Sequence, residues 1–122
     1  MTAVLAACGG QPAGATSLSV ELNDFSFTPN TFRVPAGGEI ELTLTNGGSV
    51  EHEFVIMNAG YQVTMPFDAD DEPQVYWEGE VEAGESMSFV FTAPSEPGEY
   101  EVVCGVQGHL ESGMLGSLTV TD

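Results

Sequence analysis

The sequence predicts an all-β fold, a Greek-key sandwich of about seven or eight short strands, and three features of it lead there. Apolar and polar residues alternate at period two in several short runs, most strictly in Ile40-Glu41-Leu42-Thr43-Leu44-Thr45. Turn signals recur between those runs, supplied by 15 Gly and 7 Pro among 122 residues. Val, Thr and Phe are common, and the long Ala, Leu and Lys stretches of a helical chain are missing. A chain of 122 residues can bury one good core but not two, so a single domain with a single site is expected.

Residues 1–17 read as a processing segment followed by a flexible tether, and residues 18–122 as the domain. Val4-Leu5-Ala6-Ala7-Cys8-Gly9-Gly10 is a run of small residues ending in Cys. It resembles the lipobox of bacterial and archaeal lipoproteins, which implies lipidation of Cys8 and an extracytoplasmic, lipid-anchored protein at the periplasmic or cell-surface side of a membrane. Only seven residues precede Cys8, so an export signal of that kind would begin upstream of Met1. Gln11 to Ser17 fits the tether. No run of about 18 apolar residues exists to span a bilayer, which leaves a lipid anchor as the only membrane contact.

Strands are predicted at Leu18 to Leu22, Thr31 to Val34, Glu39 to Thr45, Glu53 to Ile56, Ser86 to Thr92, Glu99 to Cys104 and Ser117 to Thr121, each a short β-rich or alternating run. Pro35-Ala36-Gly37-Gly38, Asn46-Gly47-Gly48, Ala83-Gly84 and Pro97-Gly98 are the turns between them. Met57 to Trp77 has no clean period and reads as a loop excursion with one short helical turn.

Nineteen acidic residues against the single Arg33 give a net charge of −18. Phosphate binding needs clustered Lys and Arg, so nucleic acid is excluded as a partner. The acidity serves either solubility in a salty medium or the steering of a basic partner. The two cysteines, Cys8 and Cys104, belong to separate signals, and no disulfide between them is expected.

The chemistry concentrates near the C-terminus in Cys104-Gly105-Val106-Gln107-Gly108-His109-Leu110-Glu111-Ser112-Gly113-Met114, a C-x4-H-x4-M loop. Taken singly, Cys104 and Met114 would be core filler and a lone His a surface residue. Together they offer thiolate, imidazole and thioether, soft enough for Cu(I) and strong enough for Cu(II). His52, the only other histidine, stands at the head of Glu53-Phe54-Val55-Ile56 and completes a His2Cys set with a weak axial Met. One copper ion held by His52, Cys104, His109 and Met114 is therefore expected.

From Pro97-Gly98-Glu99-Tyr100 through Cys104, His109 and Met114, and upstream to His52, the chain resembles the cupredoxins, the blue type 1 copper proteins. Both four-residue gaps are like those of the auracyanins; the azurins share the first and have a shorter second. The resemblance implies a Greek-key sandwich with copper at one end, electron transfer rather than catalysis, and a c-type cytochrome or membrane oxidoreductase as the redox partner of a monomer. It also implies that His109 lies nearest the surface. Leu110, Val106 and Met65-Pro66 are expected to form an apolar docking rim, with acidic residues outside it.

Two positions depart from the family pattern. Glu53 follows His52 where Asn is common, although the backbone N–H at that position does not depend on the side chain. Glu51 stands where azurins carry the Gly whose carbonyl approaches the metal, so no strong fifth ligand is expected. Multicopper oxidases and nitrite reductases need further His ligands, and this chain has none left; no G-x-S-x-G occurs for an esterase. A copper delivery or storage protein, and a metal-free sandwich used for adhesion, are the rival readings.

Overall fold

A computed structural model describes residues 16–122, which form nine strands and one turn of 3-10 helix. The strands are β1 (Thr16–Asn23), β2 (Ser26–Thr28), β3 (Thr31–Pro35), β4 (Glu39–Asn46), β5 (His52–Met57), β6 (Val75–Val81), β7 (Ser86–Thr92), β8 (Gly98–Val103) and β9 (Leu115–Thr121). They build two sheets, ordered β2-β1-β4-β7 and β3-β9-β8-β5-β6. All pairings are antiparallel except β1 with β4 and β3 with β9. The all-β Greek-key sandwich expected from the sequence is the fold observed. The seven predicted strands are all present, joined by β2 and β6. β1 starts at Thr16, two residues before the alternation first becomes visible. The processing segment expected from the sequence, with Cys8, lies outside the described residues.

Alternation decides which side chains meet between the sheets. On β4, Ile40, Leu42 and Leu44 point inward and are fully buried, while Glu39, Glu41 and Thr45 face water. Val20 and Leu22 of β1, Phe32 and Val34 of β3, Tyr100 and Val102 of β8, and Leu118 and Val120 of β9 fill the same layer. Phe54 lies at its centre, edge-to-face with Phe27 at 5.5 Å and Phe32 at 5.4 Å. Tyr100 anchors the approach to β8 by donating its hydroxyl to the carbonyl of Glu96 at 2.6 Å, a tyrosine corner four residues upstream.

β5 breaks the alternation because both of its faces are covered. His52, Phe54 and Ile56 face the sandwich core, while Val55 and Met57 join Val103 and Leu110 in a second cluster on the outside of the sheet. The segment from 58 to 74 exists to cover that outer cluster, packing Tyr61, Val63 and Phe67 against it. The excursion is pinned by buried Asp71, whose carboxylate accepts from the Tyr61 hydroxyl at 2.6 Å and the Asp68 N–H at 2.9 Å. Its predicted helical turn is the 3-10 turn Glu72–Gln74, opened by Pro73. The last residues of the segment, from Val75, belong instead to strand β6.

Candidate metal centre

Three sequence segments bring donors to one end of the sandwich. His52 is the first residue of β5, Cys104 directly follows β8, and Met114 directly precedes β9. The connecting loop folds back on itself: the Cys104 N–H donates to the Met114 carbonyl at 3.3 Å, and the Met114 N–H to the His109 carbonyl at 3.2 Å. Gly108 and Gly113 take φ values of +84° and +101°, which lets so short a loop turn back without strain. Further N–H bonds from His109 to Val106, from Ser112 to His109 and from Gly113 to Leu110 make the loop a set of successive turns.

Three of the candidate donors converge. His52 Nδ1 lies 3.1 Å from His109 Nδ1, and Cys104 Sγ lies 3.9 Å from the first and 3.4 Å from the second. A point equidistant from these three atoms is about 2.0 Å from each, matching metal–imidazole bonds of ~2.0–2.1 Å and close to metal–thiolate bonds of ~2.3 Å. His52, Cys104 and Met114 are fully buried, and His109 is the most exposed of the four at 7%. Cys104 is a free thiol.

The environment suits a cation. Burial pushes the Cys104 thiol up from its ordinary value, only partly opposed by the Glu53 and Val106 N–H groups. Its thiolate therefore needs a positive partner. The Glu53 N–H donates to Cys104 Sγ at 3.4 Å, as its backbone position allowed. Burial, then the His52 ring, lowers His109 and favours the neutral imidazole that metals take as ligand. His52 Nε2 is engaged by Asp24 Oδ1 at 3.1 Å, leaving Nδ1 for the centre. These residues fit a copper ion.

Comparison with known proteins agrees with this chemistry. The cupredoxin-like domain family matches the chain over residues 1–120. The chain belongs to the cupredoxin family. Auracyanin-B of Chloroflexus aurantiacus is 28% identical over 90% of the chain, which spans about half of that relative (53%). The copper-resistant cuproprotein CopI of Rubrivivax gelatinosus is 30% identical over 91% of the chain and 72% of its own length. Among solved structures, auracyanin B superposes with a TM-score of 0.74 at 29% identity, covering 92% of this cupredoxin and 91% of that chain. The auracyanin of Roseiflexus castenholzii gives 0.73 at 25% identity, covering 89% and 100%. The cofactor of this cupredoxin is one type 1 copper ion, the metal for which a His, Cys, His and Met donor set is suited.

One sequence expectation is overturned. Leu110 is only 3% exposed and packs with Val55, Met57 and Val103, so it holds the loop to the sheet and cannot form a docking rim. It faces the outer cluster because the apolar surface of β5 and β8 there needs covering. Val106 is half-buried against the core, whereas Met65 is 59% exposed. Sequence reasoning also missed the tip of the β1–β2 hairpin. Asp24 holds His52 there, and the Phe25 ring stands edge-to-face on the His109 ring at 5.2 Å. It missed Asn46 as well, whose buried amide donates to the carbonyls of Val50 and Val81 and accepts from the Gly48 N–H, fixing the loop that leads into His52.

Beside the centre, the carboxylates of Glu51, Glu53 and Glu80 crowd within 4.8 Å of one another. Burial, with Glu78, Glu80, Glu51 and Glu72 around it, pushes Glu53 up to about 7. Burial and Glu72 raise Glu78, and a hydrogen bond with Glu82 raises Glu51. A carboxyl raised in the folded state contributes stability that is full below its unfolded pKa and lost as pH rises through the folded one. In the metal-free cupredoxin Glu53 should therefore add stability at pH 5 that is lost by pH 8, over a window from about 4.5 to about 7, while the lowered His109 acts in the opposite sense below its ordinary value. Discounted for solvent reaching the side chain, Glu53 is worth about 1 kcal/mol. Thermal unfolding of Glu53→Gln across that range should show a smaller loss of stability toward pH 8; a slope equal to that of the parent protein would contradict the assignment.

Proposed function

We propose that this cupredoxin is a small extracytoplasmic carrier of single electrons, in which His52 Nδ1, Cys104 Sγ, His109 Nδ1 and Met114 would hold the copper. The observation that carries this reading is the buried triangle of donors, with His109 the most exposed of the four ligands. Copper supplies the redox chemistry, cycling between Cu(II) and Cu(I). The protein's part is to keep the donors still, because any rearrangement between the two states adds to the barrier. β5, β8 and β9 fix three donors at strand ends, and the turns of the loop fix the fourth.

The His109 edge is the exit for the electron. The partner is a c-type cytochrome or membrane oxidoreductase with a basic docking face, chosen for complementarity to a chain of net charge −18. Lipidation at Cys8 would tether a monomer to the membrane face where such partners work. No helix among the described residues is long and apolar enough to cross a membrane. With both histidines used, no further centre is left for catalysis, and the protein is read as a carrier and not an enzyme.

The copper-resistant relatives favour a second reading, in which the same site stores or delivers copper. Loading with Cu(II), cycling with a reductant and then challenging with a Cu(I) chelator separates the two. The carrier keeps its copper through repeated cycles, shows an intense visible thiolate-to-copper band that bleaches reversibly, and exchanges electrons with a basic cytochrome at a rate that falls with salt. A colourless Cu(I) complex that surrenders its metal would support delivery instead.

A further inference from the structure

The Asp24-Phe25 tip of the β1–β2 hairpin reaches both histidines from a part of the chain remote from either. His52 is fully buried, and its Nε2 meets Asp24 Oδ1 at 3.1 Å. Asp24 is itself held: the Ser49 N–H donates to Oδ1 at 3.0 Å and the Ser49 hydroxyl to Oδ2. The backbone at Gly48 passes directly over the contact. A Cβ there would fall within 3.0 Å of both Asp24 Oδ1 and His52 Nε2, so only glycine leaves the bond room to form. Phe25 sits at φ 72°, a left-handed region that a bulky residue adopts only under strain, and keeps its ring on His109. A strained residue, a glycine with no space above it and a doubly anchored carboxylate on one pair of ligands indicate a turn held in place for the site.

We propose that Asp24 is a positioning residue for His52, fixing its Nε2–H tautomer so that the Nδ1 lone pair faces Cys104 and His109, and stabilising oxidised over reduced copper. A carboxylate only accepts hydrogen bonds, so the single proton of a neutral His52 belongs on Nε2. The same negative charge makes the ring a more basic donor, which Cu(II) rewards more than Cu(I). The tautomer is a property of the metal-free protein; the redox half rests on the copper reading above.

The test has two parts. In the metal-free protein at pH 8, imidazole 15N shifts should give the Nε2–H tautomer for His52, and in Asp24→Ala a mixture of tautomers. An Nδ1–H or doubly protonated His52 in the parent protein, or an unchanged tautomer in Asp24→Ala, overturns the positioning role. In the copper-loaded protein, Asp24→Asn keeps an oxygen acceptor and removes the charge. Outer partners of a ligating histidine are worth ~10–100-fold in metal affinity. A tenfold loss confined to Cu(II) would raise the potential by about 59 mV. Glu39→Gln makes the same charge change at the end of β4 away from the site. Equal shifts in the two variants overturn the redox half, while Asp24→Glu should restore part of the lost shift. If the parent protein forms no thiolate-to-copper band, the copper reading fails on its own, and the tautomer measurement still decides the role of Asp24.

Discussion

Cys104→Ser is expected to remove the intense visible band of the copper-loaded protein completely and to leave a folded chain. The band requires a thiolate bonded to copper, and Cys104 is the only cysteine among the described residues. A hydroxyl is a poor ligand for Cu(I), so the reduced state suffers most. Cu(I) affinity should fall by more than the ~10–100-fold that loss of an outer partner costs. The fold should survive because serine is nearly isosteric and the Glu53 N–H, 3.4 Å from the sulfur, can donate to the new oxygen. Burying that hydroxyl costs about 1–3 kcal/mol against a total stability of about 5–15 kcal/mol. Visible absorption, Cu(I) competition and far-UV circular dichroism on the same sample check all three expectations. A band of undiminished intensity in the variant would mean that the sulfur of Cys104 is not the donor.

Legibility in the sequence followed the locality of each signal. His109 and Met114 were readable because they share one loop with Cys104, and His52 because only two histidines exist. β4 was readable because its alternation is complete. β6 alternates as well from Tyr76 on, with Trp77, Gly79 and Val81 inward and Tyr76, Glu78 and Glu80 exposed, while Val75, beyond a register shift, packs on the outer cluster; yet a glycine among acids reads as a loop. The glycine is there because a Cβ at 79 would meet Trp77 and Phe89 closer than packing allows. β2 is three residues long and follows a turn made by Asp24 and Phe25, neither of which signals a hairpin when Phe must take a positive φ.

The outer parts of the site were hidden for the same reason. Asp24 is one of nineteen acids, 28 residues from the histidine it holds, and no period or motif connects the two. Asn46 and Gly48 read as a turn, which they are, but their duty to His52 appears only once β1, β4 and β5 are assembled. The assignment of Leu110 to a docking rim failed because its cover for β5 and β8 is non-local. The unbroken run Phe54-Val55-Ile56-Met57 carried a usable signal: without alternation, both faces of that strand had to be buried, and something had to cover the outer one.

Phe54→Ala should be the most destabilising single truncation in the core, because Phe54 carries His52's strand into the middle of the sandwich. Its side chain is 1% exposed and lies between Phe27 and Phe32, so its removal opens a cavity lined by rings from two strands that cannot collapse together. Truncations of this kind cost about 3–5 kcal/mol. For a domain of this size that lowers Tm by about 15–25 °C, measured by calorimetry or denaturant titration on the metal-free chain. Ile56→Val, on the same face of β5, should cost only about 0.5–1.5 kcal/mol and serves as the control. His52 is held from outside the core by Asp24 and the Asn46-tied loop, so the copper band of Phe54→Ala should keep its wavelength at temperatures where the variant is folded. A shifted band would show that ligand geometry is set by the core beneath His52; an unshifted one leaves its placement to the hairpin tip and the loop above it.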